Sequence, residues 1–228
     1  MRSAVVLLSG GLDSATCLAW TRREGFEAHA LTLDYGQRHR VEIERAAFVA
    51  KSLGAVSHRT IALDLSFLSG SALTDVAIDV PKGRAAQEGR SGVPVTYVPA
   101  RNTILLALAL GLAESIGSRD LVIGANAIDY SGYPDCRPEF LDAFRSLARL
   151  GTKAGAEGAE WRVHAPLLAL SKADIVRKAV AWGVPYAATV SCYDPEPDGR
   201  PCRRCEACEI RARGFAEAGI RDDSAEIA

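Results

Sequence analysis

Ala4-Val5-Val6-Leu7-Leu8 runs directly into Ser9-Gly10-Gly11-Leu12-Asp13-Ser14 and then Ala15-Thr16-Cys17-Leu18-Ala19, and this stretch decides the fold. The first five residues are uninterrupted apolar, the pattern of a strand covered on both faces of a parallel sheet. The last five have helical spacing, with Ala15, Leu18 and Ala19 on one side. The order is therefore strand, glycine turn, helix. Such a turn aims backbone N–H groups at one point, where the helix dipole also favours negative charge. Gly10 and Gly11 let a ligand approach the backbone closely, and Ser9 and Ser14 add hydroxyls. The expectation is a phosphate cradle built from Leu8, Ser9, Gly10, Gly11, Leu12, Asp13, Ser14, Ala15, Thr16, Cys17 and Leu18, with Cys17 itself also reading as core. The bland alternative is a plain tight turn, but an acid and two hydroxyls have no packing role there.

The commoner cradles do not match. The chain has no Gly-Lys dipeptide, so no Walker A loop, and no G-x-G-x-x-G dinucleotide fingerprint. Ser9 has no G-x-S-x-G frame either.

Outward from this loop, Glu27 to Asp34 reads as a second strand, ending at Asp34-Tyr35-Gly36-Gln37-Arg38-His39. A helix follows, with Ile43, Ala46, Ala47, Ala50 and Leu53 on one face and Gly54 as its stop. Ser57 to Leu63 is a third strand. The alternation implies an α/β fold with a doubly wound parallel sheet. Ligands then bind at the carboxyl ends of strands, where the glycine loop and Tyr35-Gly36-Gln37 both fall. Residues 69–95 show no period and read as a long surface loop, either an active-site lid or a plain insertion.

Pro99-Ala100-Arg101-Asn102 opens an apolar helix running to about Ile116. An Arg at a buried helix start calls for an anionic partner: a phosphate, a substrate carboxylate or an internal carboxylate. Asp120 to Ala125 is a fourth strand. It leads into Asn126-Ala127-Ile128-Asp129-Tyr130-Ser131-Gly132-Tyr133-Pro134-Asp135-Cys136, too polar for core and too aromatic for a plain turn. That mix suits a planar polar heterocycle, with rings to stack and carboxylates to accept from N–H groups. Pro138 starts a helix, Trp161 to Ala165 is a fifth strand, and Ser171-Lys172-Ala173-Asp174 resembles a capping box. Lys172, in a first turn that disfavours cations, reads either as exposed or as reaching a phosphate.

Four of the six cysteines, Cys192, Cys202, Cys205 and Cys208, fall within seventeen positions. Two overlapping C-x-x-C units plus a fourth thiolate suit a closed tetrahedral zinc site. An iron–sulfur cluster, a disulfide pair and catalytic sulfur transfer are the alternatives. Arg200, Arg203, Arg204 and Arg211 are placed to offset the charge of four thiolates. The expected organisation is a nucleotide-binding domain over 1–185, a zinc-binding subdomain over 186–221 and a fraying acidic tail over 222–228.

A net charge of −1, with 24% charged residues, supplies no global basic field and weighs against a stable nucleic-acid partner. No apolar run reaches membrane-helix length. The first strand begins almost at Met1, so no signal peptide is expected, and the chain is expected to be cytoplasmic, with cysteines as thiols or ligands.

The Ser-Gly-Gly-Leu-Asp-Ser loop resembles the PP-loop of N-type ATP pyrophosphatases. Together with Tyr-Gly-Gln-Arg-His at 35–39, Pro-Ala-Arg-Asn at 99–102, the 124–140 stretch and Ser-Cys-Tyr at 191–193, the chain resembles the 7-cyano-7-deazaguanine synthase family over nearly its whole length. Two departures stand out: Ala100, where glycine is as often expected, and Arg204, where the family usually has glycine. The resemblance implies an adenine nucleotide alpha hydrolase-like fold with a C-terminal zinc-binding helical appendage. It further implies ATP and Mg²⁺ as well as Zn²⁺, and a homodimer. The implied reaction converts 7-carboxy-7-deazaguanine and ammonia to the nitrile through an adenylated carboxylate and then an adenylated amide, in queuosine precursor synthesis. Under it, Asp13, Arg101 and Lys172 are catalytic. Tyr35, Gln37, Arg101, Asn102, Asp129, Tyr130, Tyr133 and Asp135 bind the small-molecule substrate. A tRNA-modifying PP-loop enzyme, an enzyme stopping at the amide, and a zinc-dependent nucleic-acid-binding module remain the rival readings.

Overall fold

The computed structural model describes residues 2–37, 41–65, 67–83, 92–128 and 132–225. Strands β1 (Ser3–Leu7), β2 (Glu27–Asp34), β3 (Ser57–Ala62), β4 (Asp120–Val122) and β5 (Arg162–His164) form one sheet in the order β3-β2-β1-β4-β5. Every pairing is parallel, for example Val6 with Ala30 on one side and with Val122 on the other. Among the described residues the α-helices are α1 (Leu12–Arg23), α2 (Val41–Ser52), α3 (Arg101–Ser115), α4 (Pro138–Gly151), α5 (Lys153–Ala156), α6 (Lys172–Ala181) and α7 (Glu206–Ala218).

Strand β1 is central, and its alternation explains both cores. Ala4, Val6 and Leu8 face a cluster with Leu18 of α1, Val49 of α2, Ile175 of α6 and Phe215 of α7. Val5 and Leu7 face the opposite cluster, with Leu106 and Leu110 of α3 and Phe144 of α4. A strand covered on both faces cannot alternate apolar with polar, which is why β1 reads as a continuous apolar run. After β3 the chain crosses β1 to begin β4. The loops leaving β1 and β4 therefore diverge at the point where winding reverses, and ligands of doubly wound sheets bind there.

The boundaries expected from the sequence hold to within a few residues, with β4 and β5 shorter than expected. The Ser171 cap forms as expected: its hydroxyl accepts from Asp174 N at 3.2 Å. The expected surface loop of residues 69–95 is not all surface in its described parts, 69–83 and 92–95, while residues 84–91 lie outside the described residues. Ala72, Leu73 and Val80 are buried with Val98 and the four clustered cysteines in a third core. Lys82 pairs with Cys205 in an antiparallel bridge, and Gly83 N donates to Arg204 O at 2.8 Å. The segment has no helical or strand period because it packs against a knot of sulfurs, not along a helix or sheet. Of the expected fraying tail over 222–228, the described residues 222–225 are held in place, and 226–228 lie outside the described residues. Asp222 is held by Arg211 Nε at 2.6 Å, and a short 3-10 turn spans Asp223–Ala225. The acidic composition of the tail hid a buried arginine that needed one of its carboxylates.

Candidate active site

A cleft of about 240 Å³ opens at the carboxyl ends of β1, β2 and β4. One end is the glycine loop. Gly10 adopts φ +87°, and the backbone of α2 presses so close that a Cβ on Gly10 would lie 2.3 Å from Glu42 O. The loop is laced internally: Ser9 N donates to Ser14 Oγ at 3.1 Å, Gly11 N to Ser9 Oγ at 3.3 Å and Ser14 Oγ to Gly11 O at 3.0 Å. Ala15 N is the first intrahelical donor, reaching Gly11 O at 3.0 Å. The N–H groups of Leu12, Asp13 and Ser14 precede it and have no carbonyl partner within the helix. These donors at the positive end of α1, with Ser9, Gly11, Leu12, Asp13 and Ser14 all lining the cleft, fit a polyphosphate. Gly10, Ala15, Thr16, Cys17 and Leu18 support the loop from behind and do not line the cleft. Cys17 is buried, its thiol 3.7 Å from Ile123 O.

Lys172 is not exposed. Its ammonium lies 2.8 Å from both oxygens of Asp13, across the start of α1. Its stem crosses α7 over Gly214, where a Cβ would meet Lys172 Cγ at 2.2 Å. Asp13, Lys172 and Gly214 therefore bring α1, α6 and α7 together at the phosphate end.

The other end of the cleft is built from Tyr35, Arg101, Asn102, Tyr133, Cys136 and Tyr193, with Glu42 beside them. Arg101 is the hub. Burial alone would lower its pKa, but the hydroxyls of Tyr35, Tyr193 and Tyr133 raise it, and it stays a cation. Burial raises Tyr35, with Arg101 pulling the other way. Burial likewise pushes Glu42 up to about 8, against the pull of Arg101. Tyr133 is buried, its hydroxyl 2.7 Å from Thr96 Oγ1. Burial pushes the Cys136 thiol up to about 11, so it is a protonated, weakly nucleophilic wall.

Not every residue expected to touch substrate does so directly. Asp135 is buried, and its Oδ2 accepts from Asn102 N at 3.1 Å. It thereby caps α3, whose own N-cap residue, Ala100, has no side-chain oxygen to offer. The Gln37 amide lines the cleft but is tied to its own turn, accepting from Tyr35 N at 2.8 Å and donating to Leu33 O at 3.3 Å. Asp129 and Tyr130 lie outside the described residues. Conversely, Glu42, Asn126, Cys136, Ser191 and Tyr193 line the cleft without having been singled out as site residues. The Ser-Cys-Tyr triplet was visible as part of the family resemblance, with Cys192 read as a metal ligand; that both neighbours of Cys192 face the cleft follows only from the fold.

The four expected thiols converge. The Sγ atoms of Cys192, Cys202, Cys205 and Cys208 all lie within 4.8 Å of one another and are buried. Backbone N–H groups point at the sulfurs: Cys202 N to Cys192 Sγ at 3.2 Å, Cys205 N to Cys202 Sγ at 3.3 Å and Tyr193 N to Cys205 Sγ at 3.4 Å. Tetrahedral zinc at about 2.3 Å from each sulfur needs this arrangement, and the donors stabilise thiolate charge. Hydrogen bonds from Cys192 and Cys208 draw the Cys205 thiol far down even without an ion. The arginines expected to offset the sulfurs are partly occupied elsewhere: Arg200 pairs with Asp198 and Arg211 with Asp222. All six cysteines are free thiols, so no disulfide pair forms. The C-x-x-C turn places Arg203, at φ +59°, in the left-handed region, where glycine would be relaxed.

The parallel sheet, the glycine turn at its switch point and the cation–carboxylate pair beside it define a doubly wound α/β protein of the PP-loop-like fold. A 4-thiouridine synthetase solved as an RNA complex with bound ATP shares this fold, with a TM-score of 0.52 at 18% identity over 96% of this chain and 50% of that one. The model of the family described as queuosine biosynthesis protein QueC matches residues 3–219, and the chain belongs to that family. Among its relatives are 7-cyano-7-deazaguanine synthases of Anaeromyxobacter sp. (strain Fw109-5), 62% identical over 97% of this chain and 94% of that protein, and of Thiobacillus denitrificans, 60% identical over 96% of each. The chain is accordingly an enzyme of queuosine precursor biosynthesis. Among the described residues, no helix is long and apolar enough to cross a membrane.

Proposed function

We propose that this chain converts 7-carboxy-7-deazaguanine, ammonia and ATP to 7-cyano-7-deazaguanine by two successive adenylations at one site. The observation that carries the reading is the two-ended cleft, with phosphate donors at one end and a cationic, aromatic pocket at the other. A carboxylate is a poor electrophile until one oxygen carries a leaving group. Attack of that oxygen on the α-phosphate of ATP, with pyrophosphate leaving, supplies one; ammonia then displaces AMP, losing a proton, and the amide forms. Transfer of a second AMP to the amide oxygen, followed by loss of AMP and two N–H protons, leaves the nitrile. Both transfers place AMP on an oxygen attached to the same carbon, so one loop serves twice.

In this reading the N–H groups of Leu12, Asp13 and Ser14 hold the β,γ-phosphates. Asp13 orients Lys172 toward the phosphates and would be a carboxylate ligand for a bound Mg²⁺, which would supply further positive charge there, and Lys172 and Arg101 offset charge that develops at the α-phosphate. Tyr35, Tyr133, Tyr193 and Asn102 hold the heterocycle, with Asp129 and Tyr130 as further contacts. Asp135 and Gln37 act by fixing the backbone around it. Zinc, held by the four cysteines, supplies structural rigidity to residues 190–208 and takes no part in the transfers. The active form is a homodimer in the cytoplasm, which sedimentation of the purified enzyme checks. The test of the reaction is incubation with the carboxylate, ammonium, ATP and Mg²⁺, followed by mass spectrometry of the base. Nitrile as the end product supports the proposal; accumulation of amide alone, or turnover only on tRNA, contradicts it.

A further inference from the structure

Arg211 lies on α7, outside the cleft, yet each of its three guanidinium nitrogens is hydrogen-bonded. The residue is 7% exposed. Nε donates to Asp222 Oδ2 at 2.6 Å and Nη2 to Asp222 Oδ1 at 2.9 Å. Nη2 also reaches Tyr186 O at 3.0 Å. Nη1 donates to Thr189 Oγ1 at 2.9 Å, with Thr189 O and Ser191 Oγ each at 3.4 Å. A buried cation needs a carboxylate and a full set of acceptors, and the bidentate pair with Asp222 provides the first while 186–191 provides the second.

The segment so gripped is the rear wall of the phosphate loop. Val190 N donates to Gly10 O at 3.1 Å. A Cβ on Gly11 would lie 3.3 Å from Val190 O and 3.9 Å from Ser191 Oγ, so the two backbones are already in contact. Val190 and Ser191 also line the cleft. The chain of contacts runs from Asp222 to Arg211, to Thr189 and Ser191, to Val190, to Gly10 and Gly11.

We propose that Asp222 and Arg211 are positioning residues for the phosphate loop: the Asp222 carboxylate locks the Arg211 guanidinium, which holds residues 189–191 as the wall that sets the loop's shape. This rests on the reading that the loop binds ATP. Neither residue touches the ligand, so each acts on ATP and not on the heterocycle. A misplacement of the order of 1 Å near reacting groups is worth up to about 100-fold, and a wall one shell removed should cost about 10-fold.

The test uses the zinc-loaded full chain with Asp222→Ala, Asp222→Glu and Arg211→Lys. Expected for Asp222→Ala is a KM for ATP raised about 10-fold, with KM for the carboxylate base and zinc content unchanged, and largely restored in Asp222→Glu. Arg211→Lys, which keeps charge but loses the planar fork, should resemble Asp222→Ala. A lower melting temperature with unchanged KM for ATP overturns the proposal. Hydrogen exchange of the amides in residues 8–14, without any ligand, gives a second reading. Faster exchange in Asp222→Ala supports the clamp even if the wild-type enzyme proves inactive on this substrate, in which case it is the proposed reaction that fails. Unchanged exchange in that segment overturns the clamp directly.

Discussion

Ala100 stands at φ 54°, ψ 22°, the left-handed conformation that glycine takes without strain. The departure visible in the sequence thus marks a true backbone requirement, whereas at the cysteine turn the requirement falls on Arg203, one residue before the departure at Arg204. Gly10 is stricter than either, because both its φ and the carbonyl of Glu42 forbid a side chain. Gly10→Ala should lower unfolding free energy by more than ~2 kcal/mol, read by urea denaturation, and abolish ATP turnover. Asp120 is a different kind of residue, remote from the cleft. Its carboxylate accepts from Arg162 Nε at 2.7 Å and Nη2 at 2.9 Å, with His164 Nε2 at 2.7 Å. Burial would raise its pKa, but Arg162 and His164 hold it well below the usual carboxylate range. A depressed folded pKa means stabilisation that is complete above the unfolded value and lost as pH falls through the folded one. Asp120→Asn should therefore cost ~2 kcal/mol at pH 7, Arg162 being partly exposed, with the gap to wild type closing below about pH 3.

Helix α7 shows how one element serves two sites. Its start carries Cys208, its middle Arg211 and Gly214, and it packs along α6. A glycine inside a helix costs about 1 kcal/mol against alanine, so its presence signals a packing reason. The reason is Lys172, whose Cγ and Cβ would lie 2.2 and 2.8 Å from a methyl group there. Gly214→Ala should push Lys172 off Asp13 and reduce turnover by about 100-fold while zinc content is kept. Unchanged kcat in that variant would show that the Lys172–Asp13 pair is not needed for catalysis. None of this was legible in the sequence, since Lys172 and Gly214 are joined only by the packing of two helices. By contrast β1, the glycine loop and α1 were legible because their pattern is local: an apolar run, small residues, then helical spacing. The 69–83 segment was illegible for the opposite reason, its buried Ala72, Leu73 and Val80 answering to cysteines more than a hundred residues away.

At the scale of the molecule, the sheet order makes the site. Because β4 lies beside β1, the chain leaving β4 meets the glycine loop at Gly124, which approaches Ser14 N so closely that a Cβ would lie 3.3 Å from it. The stretch expected as a separate C-terminal subdomain contributes Val190, Ser191, Cys192 and Tyr193 to the same cleft. The cysteine knot is therefore a wall of the cleft, which its spacing in the sequence could not reveal. In the proposed reaction this cleft places AMP, not phosphate, on the substrate oxygen. The most direct measurement is turnover with 7-carboxy-7-deazaguanine labelled with ¹⁸O at both carboxylate oxygens, followed by mass spectrometry of the nucleotide and phosphate products. If the account holds, each AMP released carries one ¹⁸O, the first from the acid and the second from the amide, and the pyrophosphate carries none. Label appearing in inorganic phosphate, with ADP formed, would contradict it.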